Sequence, residues 1–209
     1  MKYEILPFFS KPFFIKKLDY IDDNYFNKLL LNIKNESYKK HKDNFYTTVS
    51  EKYNILNNKQ FYKLKEIIIN EFNFYKNEIL KYNDTKFEII SSWLTKGKKN
   101  QISKLHNHTN SMFSGVFYFS INENQSNIMF ENVYRSTFNI IPTEYNIYNS
   151  TQQNLFVKEK SLIIFPSEVH HQILQSKSTK DRYSLAFNII PTGSYGPKNT
   201  DSRVNIKVL

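Results

Sequence analysis

From Lys86 onward the chain is written in short apolar or alternating runs separated by polar turns, a texture that fits few architectures. The runs fall at 86–94, 112–121, 127–131, 155–158, 161–166, 169–175 and 182–190. This is the pattern of a many-stranded antiparallel fold. Strands this short suit a small barrel or sandwich. Pro191 to Pro197 reads as a loop that closes the barrel region, and Val204 to Leu209 as a returning last strand.

Before residue 86 the period changes. Residues 2–20 form a strand-like aromatic opening broken by Pro7 and Pro12, and Asp22 or Asp23 then offers a helix N-cap. A helix through about residue 35 follows, with Tyr25, Phe26, Leu29, Leu30 and Ile33 recurring at three and four residues to draw one apolar face. A second helix is expected from about Lys59 to Lys81, its face made by Leu64, Ile67, Ile68, Phe72, Tyr75 and Ile79. Both helices cover a sheet and carry no evident chemistry. The expected organisation is one domain over 1–209, with a helical support region to about 85 and a β core from about 86 to 209.

Composition removes several kinds of chemistry. There is no cysteine, so disulfides, thiolate metal sites and cysteine nucleophiles are excluded, and any metal must be held by nitrogen and oxygen. The N-terminus lacks the apolar core and small-residue cleavage site of a secretory signal, and no stretch is long and apolar enough to span a membrane. A cytoplasmic location is expected. The net charge of +10 invites a nucleic-acid reading, but lysine, asparagine and isoleucine are enriched together along the whole chain and no nucleic-acid motif accompanies them. Background composition explains the charge better than a basic face does.

Four of the five histidines lie in two groups, His106-Asn107-His108 and His170-His171. On a strand, residues i and i+2 share a face, so His106 and His108 can present two imidazoles to one point. His170 and His171 would point to opposite faces, so one of them at most joins the pair. Two neutral imidazoles and a third ligand on one side of an ion leave open positions, as chemistry at non-haem iron requires. Arg182 stands eleven residues after His171 and two before Ser184, at the start of an apolar run. A guanidinium projecting from a strand can grip a carboxylate through two parallel hydrogen bonds, which makes Arg182 a candidate anchor for an organic diacid, with the Ser184 hydroxyl beside it.

These residues resemble a known group, the iron(II)- and 2-oxoglutarate-dependent oxygenases of bacteria and their phages, within the double-stranded β-helix oxygenase superfamily. The resemblance rests on Ser92-Trp93, on HNHTNSMFSGVFYFS from His106 to Ser120, on LIIFPSEVHHQI from Leu162 to Ile173, and on RYSLAFNI from Arg182 to Ile189. It implies a fold that is mainly β with helices (α+β), a jelly-roll or cupin-like barrel backed by N-terminal helices. It also implies Fe(II) held by His106, His108 and His171, with 2-oxoglutarate as cosubstrate anchored by Arg182 and Ser184. In that family the distal histidine follows a Phe-Pro-Ser turn, here Phe165-Pro166-Ser167, which selects His171 over His170.

One position departs from the wider superfamily. His108 stands where most members have Asp or Glu, and three neutral histidines leave iron(II) more positive charge than two histidines and a carboxylate do. Glu131, on a following strand-like run, is the nearest candidate for a missing carboxylate. Tyr118 is a candidate to reach the cosubstrate with its hydroxyl, and Trp93 to wall the site; core packing serves either residue as well. Lys96, Lys98 and Lys99 around Gly97 either rim a pocket or form a solvated turn. The activity implied is that of a hydroxylase. Its rivals are a cupin-like metalloprotein that uses a three-histidine centre for another reaction, and a non-enzymatic barrel.

Overall fold

The computed structural model describes residues 5, 10–39, 46–121, 127–132 and 140–208. Residues 2–4 and 6–9 of the expected strand-like opening, Pro7 among them, lie outside these, as does Leu209. In chain order the strands are β1 (Phe14–Lys17), β2 (Thr48–Val49), β3 (Lys86–Gly97), β4 (Phe113–Ser120), β5 (Ile128–Glu131), β6 (Gln152–Leu155), β7 (Ser161–Pro166), β8 (His170–Ile173), β9 (Arg182–Tyr195) and β10 (Val204–Ile206). Two α-helices, α1 (Asp23–Lys34) and α2 (Tyr62–Phe74), lie between β1 and β3. The large sheet runs β1-β7-β4-β9-β3-β2 with β10 added beside β9, and a small sheet runs β6-β5-β8. All pairings between these strands are antiparallel. The fold is mainly β, two antiparallel sheets with two helices, in a double-stranded β-helix arrangement.

Strand alternation divides the large sheet into two faces. Phe113, Phe117, Leu162, Ile164, Leu185, Phe187 and Ile189 turn one way and join Phe26, Leu29 and Ile33 of α1 and Leu64, Ile68 and Phe72 of α2 in one buried apolar cluster. Each such side chain contributes about 1.5–3 kcal/mol by leaving water. The other face carries Tyr118, Ile163 and Phe165 against Ile128 and Phe130 of the small sheet. Helix α1 starts where the sequence places it, with the Asp22 side chain accepting from the Tyr25 amide at 2.8 Å.

Three elements differ from the sequence reading, each for a local reason. The expected second helix is a 3-10 turn at Lys59–Phe61, then α2, then a π turn at Tyr75–Ile79. The wider turn rotates later positions, so Ile79, expected on the apolar face, is exposed while Lys76 is buried and donates to the carbonyls of Tyr82, Asn83 and Thr85. Strand β9 continues through Pro191 to Tyr195 where a loop is expected. Its pairing with β4 ends at Ile189, so Pro191 needs no amide hydrogen on that side. Strand β6 lies at Gln152–Leu155 and not at 155–158, because an exposed edge strand reading Gln-Gln-Asn-Leu carries no hydrophobic alternation to mark it. Among the described residues, no helix is long and apolar enough to cross a membrane.

Candidate metal centre

His171 belongs to β8, whereas His106 and His108 lie in the connection between β3 and β4 and not on a regular strand as expected. The connection is nevertheless extended where it matters. The amide of His106 donates to the His171 carbonyl at 3.0 Å and the amide of His171 donates back to His106 at 2.8 Å. The amide of His108 donates to the Ser167 carbonyl at 3.0 Å. These bonds bring the two groups together, and one potential ligand atom from each of His106, His108 and His171 lies within 4.8 Å of the others. The Nε2 atoms of His108 and His171 are 3.3 Å apart.

The remaining ring nitrogens show why the cluster suits an ion. Nδ1 of His106 meets the Lys104 carbonyl at 2.7 Å and Nδ1 of His171 meets the Val169 carbonyl at 3.1 Å. A carbonyl only accepts, so in the neutral rings both Nδ1 atoms carry the hydrogen and both Nε2 atoms have free lone pairs. Burial, reinforced by the His106 charge, pushes the pKa of His108 down to about 4 and that of His171 down to about 3. Both are therefore neutral near pH 7, the form that ligates a metal. Three converging imidazole nitrogens fit a divalent ion of intermediate softness.

Beside the cluster is a cavity of about 150 Å³, whose wall includes Trp93, Val116, Tyr118, Phe165, Ser184 and Ala186. Arg182 lies on the same face of β9 as Ser184 and is only 1% exposed. Among the described residues, none of its three guanidinium nitrogens has a hydrogen-bond partner. Gly97 is its cross-strand neighbour, and a Cβ there would meet Nε and Nη2 in ordinary contact at 3.5 Å and Thr47 Cγ2 more tightly at 3.3 Å. Burial pushes the Arg182 pKa down, with the nearby Tyr118 opposing. Tyr118 is itself fully buried and its phenol is pushed up to about 12, so it is neutral. A buried, unpartnered cation is costly, and its evident complement is an anion. A dicarboxylate fits this donor set.

The other residues singled out in the sequence fall as follows. Trp93 stacks on His108, ring centres 5.5 Å apart and planes 20° from parallel. Glu131 stands in register with His170, on the face of the small sheet away from His171, whose partner is Phe130. It joins no metal-ligating group among the described residues. Lys96 pairs with Asp181 at 3.1 Å, while Lys98 and Lys99 are exposed on the turn. Sequence reasoning missed a hydrogen-bonded chain of polar side chains beside the cluster, Ser111, Ser167, Ser114 and Asn188; the single hint was that Asn188 shares the alternation of Arg182 and Ser184.

Residues 91–188 match the family described as "Putative 2OG-Fe(II) oxygenase". No curated protein sequence matches the chain. In three dimensions it is similar to an oxidoreductase of the 2OG-Fe(II) oxygenase family from Burkholderia pseudomallei (8% identity, TM-score 0.61, covering 85% of this chain and 84% of that one). It is similar also to a Pseudomonas putida prolyl-4-hydroxylase (10% identity, TM-score 0.59, 87% and 93%). HygX from Streptomyces hygroscopicus, solved with nickel and 2-oxoglutarate bound, is a third likeness (10% identity, TM-score 0.60, 87% and 84%). At such identities the likeness is one of fold.

Proposed function

We propose, from a chain whose residues 91–188 belong to the 2OG-Fe(II) oxygenase family, that this protein is an iron(II)- and 2-oxoglutarate-dependent hydroxylase. His106, His108 and His171 would hold the metal, and Arg182, Ser184 and Tyr118 the far carboxylate of the cosubstrate. When bound, iron(II) and 2-oxoglutarate supply the oxidation, in which dioxygen is consumed, 2-oxoglutarate leaves as succinate and carbon dioxide, and the substrate gains a hydroxyl group.

The chain's own residues supply binding and exclusion of water. The imidazoles of His108 and His171 arrive neutral, and Nδ1 of His106 and of His171 is held by a backbone carbonyl. Arg182 offers parallel N–H donors, and the Ser184 hydroxyl and neutral Tyr118 phenol add donors on the same side of the sheet. Val116, Phe165 and Ala186 keep the wall between them apolar. The observation that carries this reading is Arg182, a buried guanidinium without a hydrogen-bond partner among the described residues. A cupin-like centre running another reaction has no use for it, and a non-enzymatic barrel has no use for either feature.

The deciding experiment is calorimetric titration of 2-oxoglutarate into the metal-loaded protein without oxygen. Wild type should bind, and Arg182→Ala should lose on the order of 2–5 kcal/mol of binding while retaining its metal. Equal affinity in the two would remove Arg182 from the cosubstrate site. Succinate release with iron(II) and oxygen then tests turnover.

A further inference from the structure

Carboxylates close to the site residues, in sequence or in register, are turned to other work. Glu131 stands in register with His170, on the face of the small sheet away from His171, and accepts from the Gln152 side chain at 3.3 Å. Glu168, three residues before His171, pairs with Lys11 at 3.1 Å on the surface, and Asp181, next to Arg182, pairs with Lys96 at 3.1 Å. Among the described residues, no carboxylate joins His106, His108 and His171, and none lines the cavity beside them. The connection that carries His106 and His108 adds the opposite sign. Between Gly97 and Phe113 it holds Lys98, Lys99 and Lys104, all exposed, and no acidic residue. His106 is the exposed member of the cluster, and the carbonyl that meets its Nδ1 is that of Lys104.

This placement leaves positive charge unbalanced. A neutral imidazole at His108 takes nothing from the charge of a divalent ion, whereas a carboxylate there would cancel one unit. Arg182, buried on the same face of β9 as the cavity-lining Ser184, adds a third positive charge to the ion's two. 2-Oxoglutarate is a dianion, so one positive charge is left over. The cavity wall of Val116, Phe165 and Ala186 admits little water to screen that excess, and a further anion is favoured there. Lys98, Lys99 and Lys104 carry the same sign to the exposed side of the cluster, where they raise the local concentration of anions.

We infer that the substrate is itself an anion: His108, standing in place of a carboxylate, leaves the loaded centre one positive charge in excess, and an anionic group on the substrate supplies the balance. The inference rests on the metal and cosubstrate reading proposed above and deepens it. His108 is then a specificity-determining residue as well as a ligand, and Lys104 steers the substrate toward the exposed His106 side.

Azide serves as the anionic probe, titrated without oxygen into protein loaded with cobalt(II) and 2-oxoglutarate and followed by the visible absorption of cobalt. Wild type should bind azide saturably. His108→Asp should bind it weaker by about tenfold or more, and His108→Gln, which leaves the charge unchanged, should stay within about threefold of wild type. Equal azide affinity in wild type and His108→Asp overturns the inference, as does a loss in His108→Gln as large as in His108→Asp. Should His108→Asp hold no cobalt(II), His108→Glu takes its place, and failure of both to load overturns the charge argument, because a carboxylate then has no place at this position. Acetate and methylphosphonate, standing in for the anionic group of a substrate, should displace azide; displacement by chloride alone would assign the site to a free halide and overturn the substrate class. A wild type that loads cobalt(II) and 2-oxoglutarate but ignores azide sinks this inference and spares the reading beneath it. A wild type that takes up neither overturns both.

Discussion

Along β9 the residues turned toward the helices are Tyr183, Leu185, Phe187 and Ile189, and those turned the other way are Arg182, Ser184, Ala186 and Asn188. The first set lies in an apolar cluster closed by α1 and α2. The second set contains a guanidinium with no hydrogen-bond partner among the described residues and an amide whose oxygen accepts from the Ser114 hydroxyl. One strand with one backbone geometry thus serves opposite purposes, because alternation lets each face be chosen independently. The helix-facing side is built for stability. The other side keeps groups that weaken the ligand-free fold, which is expected where a ligand completes the arrangement.

The contrast can be broken from either side, and the largest effect of a single substitution should come from the helix-facing core. Phe117 is fully buried and packs edge-on against Phe119, ring centres 4.9 Å apart. Phe117→Ala should cost about 3–5 kcal/mol of stability in urea unfolding. A loss below about 1 kcal/mol would mean that this face is not the main source of stability.

Acid should weaken the opposite face. In the ligand-free protein the folded-state pKa values of His108 and His171 are depressed to about 4 and about 3, whereas the unfolded chain takes up these protons near pH ~6.5. Below that pH the unfolded state binds more protons. The contribution is therefore full above pH ~6.5 and is lost as pH falls toward 4 and 3, a loss on the order of 3–5 kcal/mol per histidine. Unfolding midpoints of chelator-treated protein at several pH values would measure it. A double variant, His108→Gln with His171→Gln, should show a shallower slope, and identical slopes would clear both histidines of the effect.

The smallest effect has the opposite sign. Arg182→Met replaces an unpartnered buried cation by an apolar chain of similar length and should stabilise the ligand-free protein by about 2 kcal/mol. It should also abolish the stabilisation that added 2-oxoglutarate gives the metal-loaded wild type. Thermal unfolding with and without the cosubstrate reads both. A destabilised Arg182→Met would show that the guanidinium supports the fold as it stands.

Alternation and the 3.6-residue period made most elements legible in the sequence, including the Asp22 cap and the long strands β3, β4 and β9. What they did not mark was set by neighbours: the π turn that buries Lys76, the polar edge strand β6, and the two-residue β2. At the candidate site, residue chemistry pointed to His106, His108, His171, Arg182 and Ser184, and chain folding brings the three histidines together. Asn188 escaped notice because its setting is relational: its amide oxygen accepts from Ser114, which in turn meets Ser167 on another strand's turn.

The reciprocal backbone pair between His106 and His171 has a thermodynamic consequence. A ligand carried on a connection between strands would ordinarily have to be gathered in when the ion arrives, and the conformational freedom lost would subtract from affinity. Here the connection is registered against β8 as the chain folds, so that ordering is complete before capture begins. Uptake of the proposed ion would then require little beyond shedding its water. Loosening this two-bond clasp would weaken binding without touching any imidazole.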